Sequence, residues 1–445
     1  MFNFITLFTI IQAAFAVRDP LPRQVDVQHP LGVDTAITKT SSDELRQLSR
    51  VIDSSPLLSL HRDIVNIESI SGNENEVGHY IINFLERNNF TVVKQPVPSA
   101  IGDRHEKRRF NIYAYIGKNS LPDVLLTSHL DTVPPYIPYG LTYPNINSSE
   151  NDRRIITING RGTVDAKGSI AAQIFAVLET IAQHDVTKDP KTPPSLGLLF
   201  VVGEENSGVG MKTFSNSEYN TSPPSFHTVI FGEPTELNLV SGHKGGFAFT
   251  ITSIGKAAHS GYPWKGRNAI SALLPVASFV EKLGDIAVEE GGLPSSAKYG
   301  NTTINLGVLQ GGVAGNVVPA VAQASFLVRL SAGTPDEAKE IVYKAVEKLI
   351  EGHDTDIRVD FSTGGTAPVD LDADIDGFNV TTVNYGTDVR NLKIRGSGDR
   401  PVKRYLYGPG SILVAHSDVE ALTVGDLEDA VEGYRKLIEH ALGRD

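Results

Sequence analysis

The sequence predicts an α/β fold: a domain with a central mixed sheet, split by an inserted ferredoxin-like α+β module. Three observations carry this reading. Short apolar runs at Val124–Ser128, Leu198–Val202 and Thr228–Phe231 alternate with helical apolar stripes, the pattern of a layered α/β domain. Between residues 242 and 362 the order becomes strand, helix, strand, strand, helix, strand, a ferredoxin-like unit. The length of 445 residues favours two domains over one.

Residues 1–16, MFNFITLFTIIQAAFA, are apolar and end in the small-x-small pattern Ala14-Phe15-Ala16. They read as a secretory signal peptide and are too short to span a bilayer comfortably. Five Asn-x-Ser/Thr sequons, at Asn89, Asn147, Asn220, Asn301 and Asn379, agree with secretion and glycosylation. Residues 17–45 are polar and aperiodic and read as a flexible leader or propeptide. The first part of the main domain is expected over 46–241, the inserted module over 242–362, and the second part over 363–445.

Within the first part, a helix is expected over Leu57–Ile67. Ser71 and Glu74 then form a candidate capping box for a helix striped by Val77, Ile81, Phe84 and Leu85. Strands follow at Thr91–Val97 and Phe110–Ile116, and a helix begins after Asp165. The module reads as Gly245–Ser253, a helix over 266–283, Thr302–Leu309, Val321–Leu330, a helix over Asp336–Ile350, and Arg358–Phe361. A last helix carries Leu427, Tyr434, Leu437, Ile438 and Leu442 on one face.

Charge and composition narrow the function. A net charge of −12 argues against a nucleic-acid partner, which would require clustered Lys and Arg. The one basic run, Arg104–Arg109, reads as a solvated loop. Cysteine is absent, so a metal site would rest on His and carboxylates, and no thiol nucleophile exists.

Acids and histidines stand at the ends of the apolar strands: His129 and Asp131, Glu204 and Glu205, Glu233, then Asp165 ahead of its helix and His416 late in the chain. Ligands bind outside the carboxyl ends of such strands, and this many carboxylates placed there call for a cationic partner. A pair of divalent ions fits. Asp165 is the natural bridge, because a carboxylate can span two ions and an imidazole cannot. His129 and His416 would each give one nitrogen, and Glu205 and Glu233 would complete the two sets. Asp131 suits the role of accepting the second N–H of His129 and fixing its orientation. Adjacent Glu204 and Glu205 point apart, so one is free to act as a general base toward a water activated by zinc.

The motifs SHLDTVP, GRGTVDAKG, GEENSG, GEPT and AHSD occur in order over residues 125–418. This set resembles the metallopeptidase family of aminoacylase, acetylornithine deacetylase and bacterial glutamate carboxypeptidase. The resemblance implies a zinc-exopeptidase-like catalytic domain with an inserted lid that mediates dimerisation. It places two zinc ions, with cobalt or manganese as possible substitutes, on His129, Asp165, Glu205, Glu233 and His416. It makes Glu204 the base. In the lid, His259 of KAAHSGYP resembles the histidine that polarises the substrate carbonyl, often across a dimer. Asn316 of GGVAGNVVP resembles the lid asparagine that helps hold the substrate carboxylate, and Arg329 is similar in place to a lid arginine and is a substrate-binding candidate, although the family's Asp-x-Arg is here Leu327-Val328-Arg329. Gly408 and Gly410 of YGPGS match a turn whose backbone approaches that carboxylate.

The expected activity is therefore a secreted metal-dependent exopeptidase acting on a peptide or N-acyl amino acid. Carboxypeptidase is the leading form, with aminoacylase, dipeptidase or deacylase as alternatives on the same site. A non-catalytic metal- or ligand-binding protein would lack the base or a ligand, and the sequence lacks neither. A glycosidase would place two carboxyls across a sugar ring, and nothing in the sequence favours that over a metal cluster.

Overall fold

The computed structural model describes residues 42–98, 109–117, 119–143, 152–187, 194–352, 356–362, 364–396 and 401–443. The chain divides at Gln47, and the architecture below belongs to Leu48–Asp445. The expected signal peptide, residues 17–41 of the leader and the Asn147 sequon lie outside the described residues. A helix over Ser42–Asp53 opens before the expected leader boundary.

The first part of the main domain contains helices α1 (Pro56–Val65) and α2 (Asn75–Arg87), strands β1 (Thr91–Val97), β2 (Arg109–Tyr115) and β3 (Val124–His129), helix α3 (Lys167–Thr187), and strands β4 (Leu196–Val201) and β5 (Thr228–Gly232). The module contains β6 (Gly245–Ile254), α4 (Ala269–Val280), β7 (Thr303–Gly311), β8 (Val321–Leu330), α5 (Pro335–Ile350) and β9 (Asp356–Phe361). The second part returns with β10 (Lys403–Tyr407) and ends in α6 (Val424–Ala441).

The central sheet is mixed, with strand order β1-β2-β4-β3-β5-β10. Strands β4, β3, β5 and β10 run parallel, and β1 and β2 are antiparallel to their neighbours. Every residue of β3, β4 and β5 is buried, which is why these strands read as unbroken apolar runs rather than alternating ones. The core beneath them includes Leu126, Leu198, Ile230, Ile170, Ile174, Leu427 and Tyr434.

The module is a four-stranded antiparallel sheet ordered β7-β8-β6-β9, with its own core of Phe247, Phe249, Ile251, Leu273, Val342 and Val346. Burial alternates along β6 and β8, as in a sheet covered by helices on one face only. Helix α5 opens on a capping box formed by Thr334 and Glu337.

Three local expectations fail. Ser71 and Glu74 form no capping box: Glu74 is itself the cap residue, without a side-chain cap bond. Its carboxylate instead pairs with buried Arg109 and accepts Gly72 N at 2.9 Å. The last residue of the basic run is thus a buried ion-pair partner, not a solvated one. Asn220 is also misread as a glycosylation site. Its side chain is buried, and Nδ2, the atom a glycan would need, donates to Ser215 O at 3.0 Å and Lys393 O at 2.9 Å. Asn89, Asn301 and Asn379 are exposed.

Candidate active site

Four parallel strands bring their carboxyl ends to one edge of the sheet, and the charged groups gather there. His129 is the last residue of β3, and Glu233 directly follows β5. Glu204 and Glu205 lie in the turn after β4. His416 is carried by the loop after β10, in the left-handed region with φ of 63°. Asp165 ends the loop that leads into α3.

The two oxygens of Asp165 serve two histidines. Oδ1 is 3.0 Å from His129 Nε2, and Oδ2 is 3.2 Å from His416 Nε2. Glu233 Oε2 stands 3.7 Å from His129 Nε2, and Glu205 Oε2 stands 3.0 Å from His416 Nε2. Two half-sites result, each with one imidazole and one glutamate, joined by a shared aspartate. Ligand bonds of 2.0–2.2 Å at tetrahedral angles imply an edge of about 3.3 Å between donor atoms, and these separations match it. Donor atoms of His129, Asp165 and Glu205 also lie within 4.8 Å of one another. The set is nitrogen and carboxylate oxygen throughout, suited to zinc or a similar divalent ion.

The protein groups polarise each other strongly. Hydrogen bonds to Asp165 and Glu205 push the His416 pKa up to about 10. Burial opposes a charge on His129, yet Asp165 and Glu233 hold its pKa well above the ordinary value. Burial raises Glu233 to about 7. Burial, with Glu233 and Asp388 nearby, also raises Glu204 well above the carboxylate range. A ligating imidazole must be neutral, so at pH 7 both histidines give up a proton when a divalent ion enters. Metal affinity is expected to fall as pH is lowered from 8 to 6, and zinc addition to chelator-treated protein should release protons. Calorimetry in buffers of different ionisation enthalpy measures that release; pH-independent affinity would contradict the assignment.

Around the cluster, buried polar groups fix the loops. Asp131 was expected to orient His129 through its carboxylate, and the geometry differs. His129 Nδ1 meets the main-chain oxygen of Asp131 at 2.9 Å, while the nearer carboxylate oxygen is 3.8 Å away. The carboxylate accepts instead from Glu204 N at 3.0 Å, Glu205 N at 3.2 Å and Ser71 Oγ at 2.7 Å. Asp131 therefore positions the Glu204–Glu205 turn. Gly208 closes that turn at φ of 62°, where any Cβ would collide with Asn391.

Glu420 does the same for the Asp165 loop, and no sequence pattern singled it out. Its Oε1 accepts from the main-chain nitrogens of Gly162, Val164 and Asp165 at 2.8, 3.1 and 3.3 Å, and its Oε2 pairs with buried Arg161. His61 Nε2 holds Thr163 O from the other side at 3.1 Å. Lys167, buried at the start of α3, donates to Ile64 O and Ile67 O at 2.9 and 2.8 Å, and burial lowers its pKa to about 7. Those carbonyls lie at the end of α1, where a cation is favoured. Glu420→Ala would leave Arg161 buried without its partner and is expected to cost about 3–5 kcal/mol of stability. Urea denaturation checks this; a loss under 1 kcal/mol would contradict it.

With this geometry in place, comparison with known proteins decides the family. Residues 241–355 match the family model of a peptidase dimerisation domain, M20_dimer. A probable carboxypeptidase of Aspergillus clavatus is 62% identical over 399 residues, covering 89% of this chain and 92% of that protein. The chain belongs to the M20 peptidase family. This M20 peptidase is a hydrolase with an α/β catalytic domain and an inserted dimerisation domain. Among solved structures, a Staphylococcus aureus tripeptidase superposes with a TM-score of 0.65 at 19% identity, covering 86% of this chain and 97% of that one. The M20 family metallo-carboxypeptidase Sso-CP2 of Sulfolobus solfataricus gives 0.61 at 19% identity, covering 87% and 99%. At these identities the likeness speaks for the fold.

The expected lid and turn residues of the M20 peptidase fall in different places. His259 and Asn316 are exposed neighbours on adjoining segments of the lid, linked by Ser260 N donating to Asn316 O at 3.0 Å. Among the described residues, no hydrogen bond or ion pair joins either side chain to the metal-ligand cluster. His259 Nδ1 accepts from Gly261 N at 3.0 Å, which leaves Nε2 to carry the proton of the neutral ring. Arg329 does reach the cleft, within electrostatic range of Glu204. Gly408 cannot offer its amide to a substrate, because that N–H donates to Thr235 Oγ1 at 3.0 Å. Its missing side chain serves packing instead: a Cβ there would lie 2.4 Å from Glu233 O and 2.5 Å from Ser169 Oγ. Gly410 is buried at φ of 76°, and its carbonyl accepts from Glu236 N at 2.8 Å. Both glycines thus hold the Glu233 loop. The cleft also gains Tyr385, whose hydroxyl donates to Pro234 O at 2.8 Å, and Asp388 near Glu204.

Proposed function

We propose that this M20 peptidase is a secreted, metal-dependent carboxypeptidase that removes the last residue of a peptide. The observation that carries the reading is the pair of half-sites sharing Asp165, with Glu204 beside them. The residues fit two divalent ions, zinc in first place with cobalt or manganese as substitutes. When bound, such ions supply Lewis acidity toward the scissile carbonyl and lower the pKa of water. Glu204 takes the proton from the attacking water and passes it to the leaving nitrogen. Asp131 keeps the base in place through the Glu204 amide. Asp165, Glu205, Glu233, His129 and His416 hold the ions.

The carboxypeptidase form is supported by the relative's name. A panel of peptides with free and amidated C-termini, with N-acyl amino acids alongside, tests it. Free peptides should lose their last residue and amidated ones should resist; equal cleavage of both would end this reading in favour of another amide hydrolase.

Secretion rests on residues 1–16 and on the exposed sequons at Asn89, Asn301 and Asn379. Mass spectrometry of culture medium should find the chain there without residues 1–16; retention inside the cell would refute it. A homodimer through the lid is supported by the matched domain and by the edge strand β7, whose Val308 and Leu309 are 48% and 49% exposed. Such an assembly would let His259 and Asn316 serve a partner's site. Light scattering should give twice the chain mass, and a monomer would sink that arrangement.

A further inference from the structure

The three acids that fit the ions stand on three loops, and a distant side chain ties each loop down. Asp131 ties the Glu205 turn, accepting from Glu204 N and Glu205 N at 3.0 and 3.2 Å. Glu420 ties the Asp165 loop through three main-chain nitrogens. Glu233 is held more loosely. Its own amide meets Tyr407 O at 3.4 Å. Its carboxylate stands 3.7 Å from His129 Nε2, against 3.0–3.2 Å for the contacts of Asp165 and Glu205 with the two histidines. Pro234 follows it, confines Glu233 to extended backbone and has no N–H of its own to donate. What the Pro234 unit can offer is its carbonyl, and Tyr385 takes it: Oη donates to Pro234 O at 2.8 Å.

Tyr385 is placed to act as such a tie. It lies in the short link between the strand Val380–Val383 and the helical turn Asp388–Asn391. Both ends of the link are anchored. Val380–Val383 pairs in parallel with Leu239–His243, the strand that follows the Glu233 loop. At the other end Asn391 O accepts from Ser215 Oγ at 2.6 Å, and Asn391 Nδ2 donates to Asp388 Oδ1 at 2.6 Å. The tyrosine therefore hangs from a fixed frame. Burial, with Glu233, Asp165, Glu204 and Glu236 nearby, raises its pKa well above the ordinary value. The phenol keeps its proton and serves as a donor.

We propose that Tyr385 is a positioning residue for Glu233, and that its bond to the Pro234 carbonyl sets the affinity of the His129–Glu233 half-site for a divalent ion. Groups behind a metal ligand fix its direction and so tune its grip. The His416–Glu205 half-site stands on other loops, and Asp131 ties the Glu205 turn. The proposal rests on the two-ion reading and is independent of the carboxypeptidase form.

The test uses the full-length chain, stripped of metal and titrated with zinc in competition with a chromophoric chelator. The parent should bind two ions. Tyr385→Phe keeps the ring and removes only the hydroxyl. It should weaken one ion about 10-fold, the lower end of the loss expected for a group behind a ligand, and leave the other ion unchanged. Glu233→Ala serves as the reference that removes the ligand itself. Adding Tyr385→Phe to Glu233→Ala should cause no further loss, because no ligand is left to position. An unchanged unfolding midpoint of metal-free Tyr385→Phe would show that the effect is local. The proposal fails if Tyr385→Phe leaves both affinities as they were, even with a raised KM, which would make the tyrosine a substrate contact. It fails equally if both ions weaken together, or if the ion that remains in Glu233→Ala weakens further. A parent that binds a single ion would bring down the two-ion reading and the proposal together, and that stoichiometry is measured before any variant.

Discussion

Glu204→Gln is expected to lower turnover about 10²- to 10⁴-fold, the contribution of a positioned general base, while the metal content stays at its wild-type value. The amide has nearly the shape of the carboxylate but cannot accept the proton. The main-chain hydrogen bond from Glu204 N to Asp131 does not depend on the side chain, so the turn keeps its geometry. Steady-state kinetics with elemental analysis of the same sample gives both readouts. Wild-type turnover in this variant would move the base elsewhere.

Asp165→Asn should be more severe. The shared carboxylate is the only group in contact with both histidines, through Oδ1 toward His129 and Oδ2 toward His416 among the described residues. An amide offers one oxygen and one NH₂, so one half-site loses its acceptor and faces a donor instead. Metal content is expected to drop by at least one ion per chain after dialysis, with hydrolysis reduced more than about 10⁴-fold, beyond the general-base contribution alone. The loop should survive, because Glu420 binds the main chain of residues 162, 164 and 165 and not the Asp165 side chain. A variant that keeps both ions would contradict the bridging role.

The sequence made some of this visible and hid the rest, for physical reasons. The buried strands β3, β4 and β5 were legible because burial on both faces forces an unbroken apolar run. The ligand candidates were legible because acids and histidines at the ends of such runs are conspicuous. The supporting groups were not. Glu420, Ser71 and Tyr385 act by hydrogen-bonding to distant main chain or to one other side chain, and such contacts leave no periodic trace. Asp131 was found but given the wrong partner, since two residues of spacing do not distinguish its carbonyl from its carboxylate. Asn220 carries a sequon that burial overrules. Gly408 read as an open approach to a ligand, yet the space its missing Cβ leaves is taken by Glu233 O and Ser169 Oγ.

The central claim is that two divalent ions on a shared Asp165 drive hydrolysis. Its most direct test is a titration of chelator-treated, full-length protein with zinc, following release of the last residue from a free peptide. Activity should be absent without metal and should rise until it saturates at two ions per chain. Undiminished hydrolysis by protein that elemental analysis shows to be free of metal would contradict it.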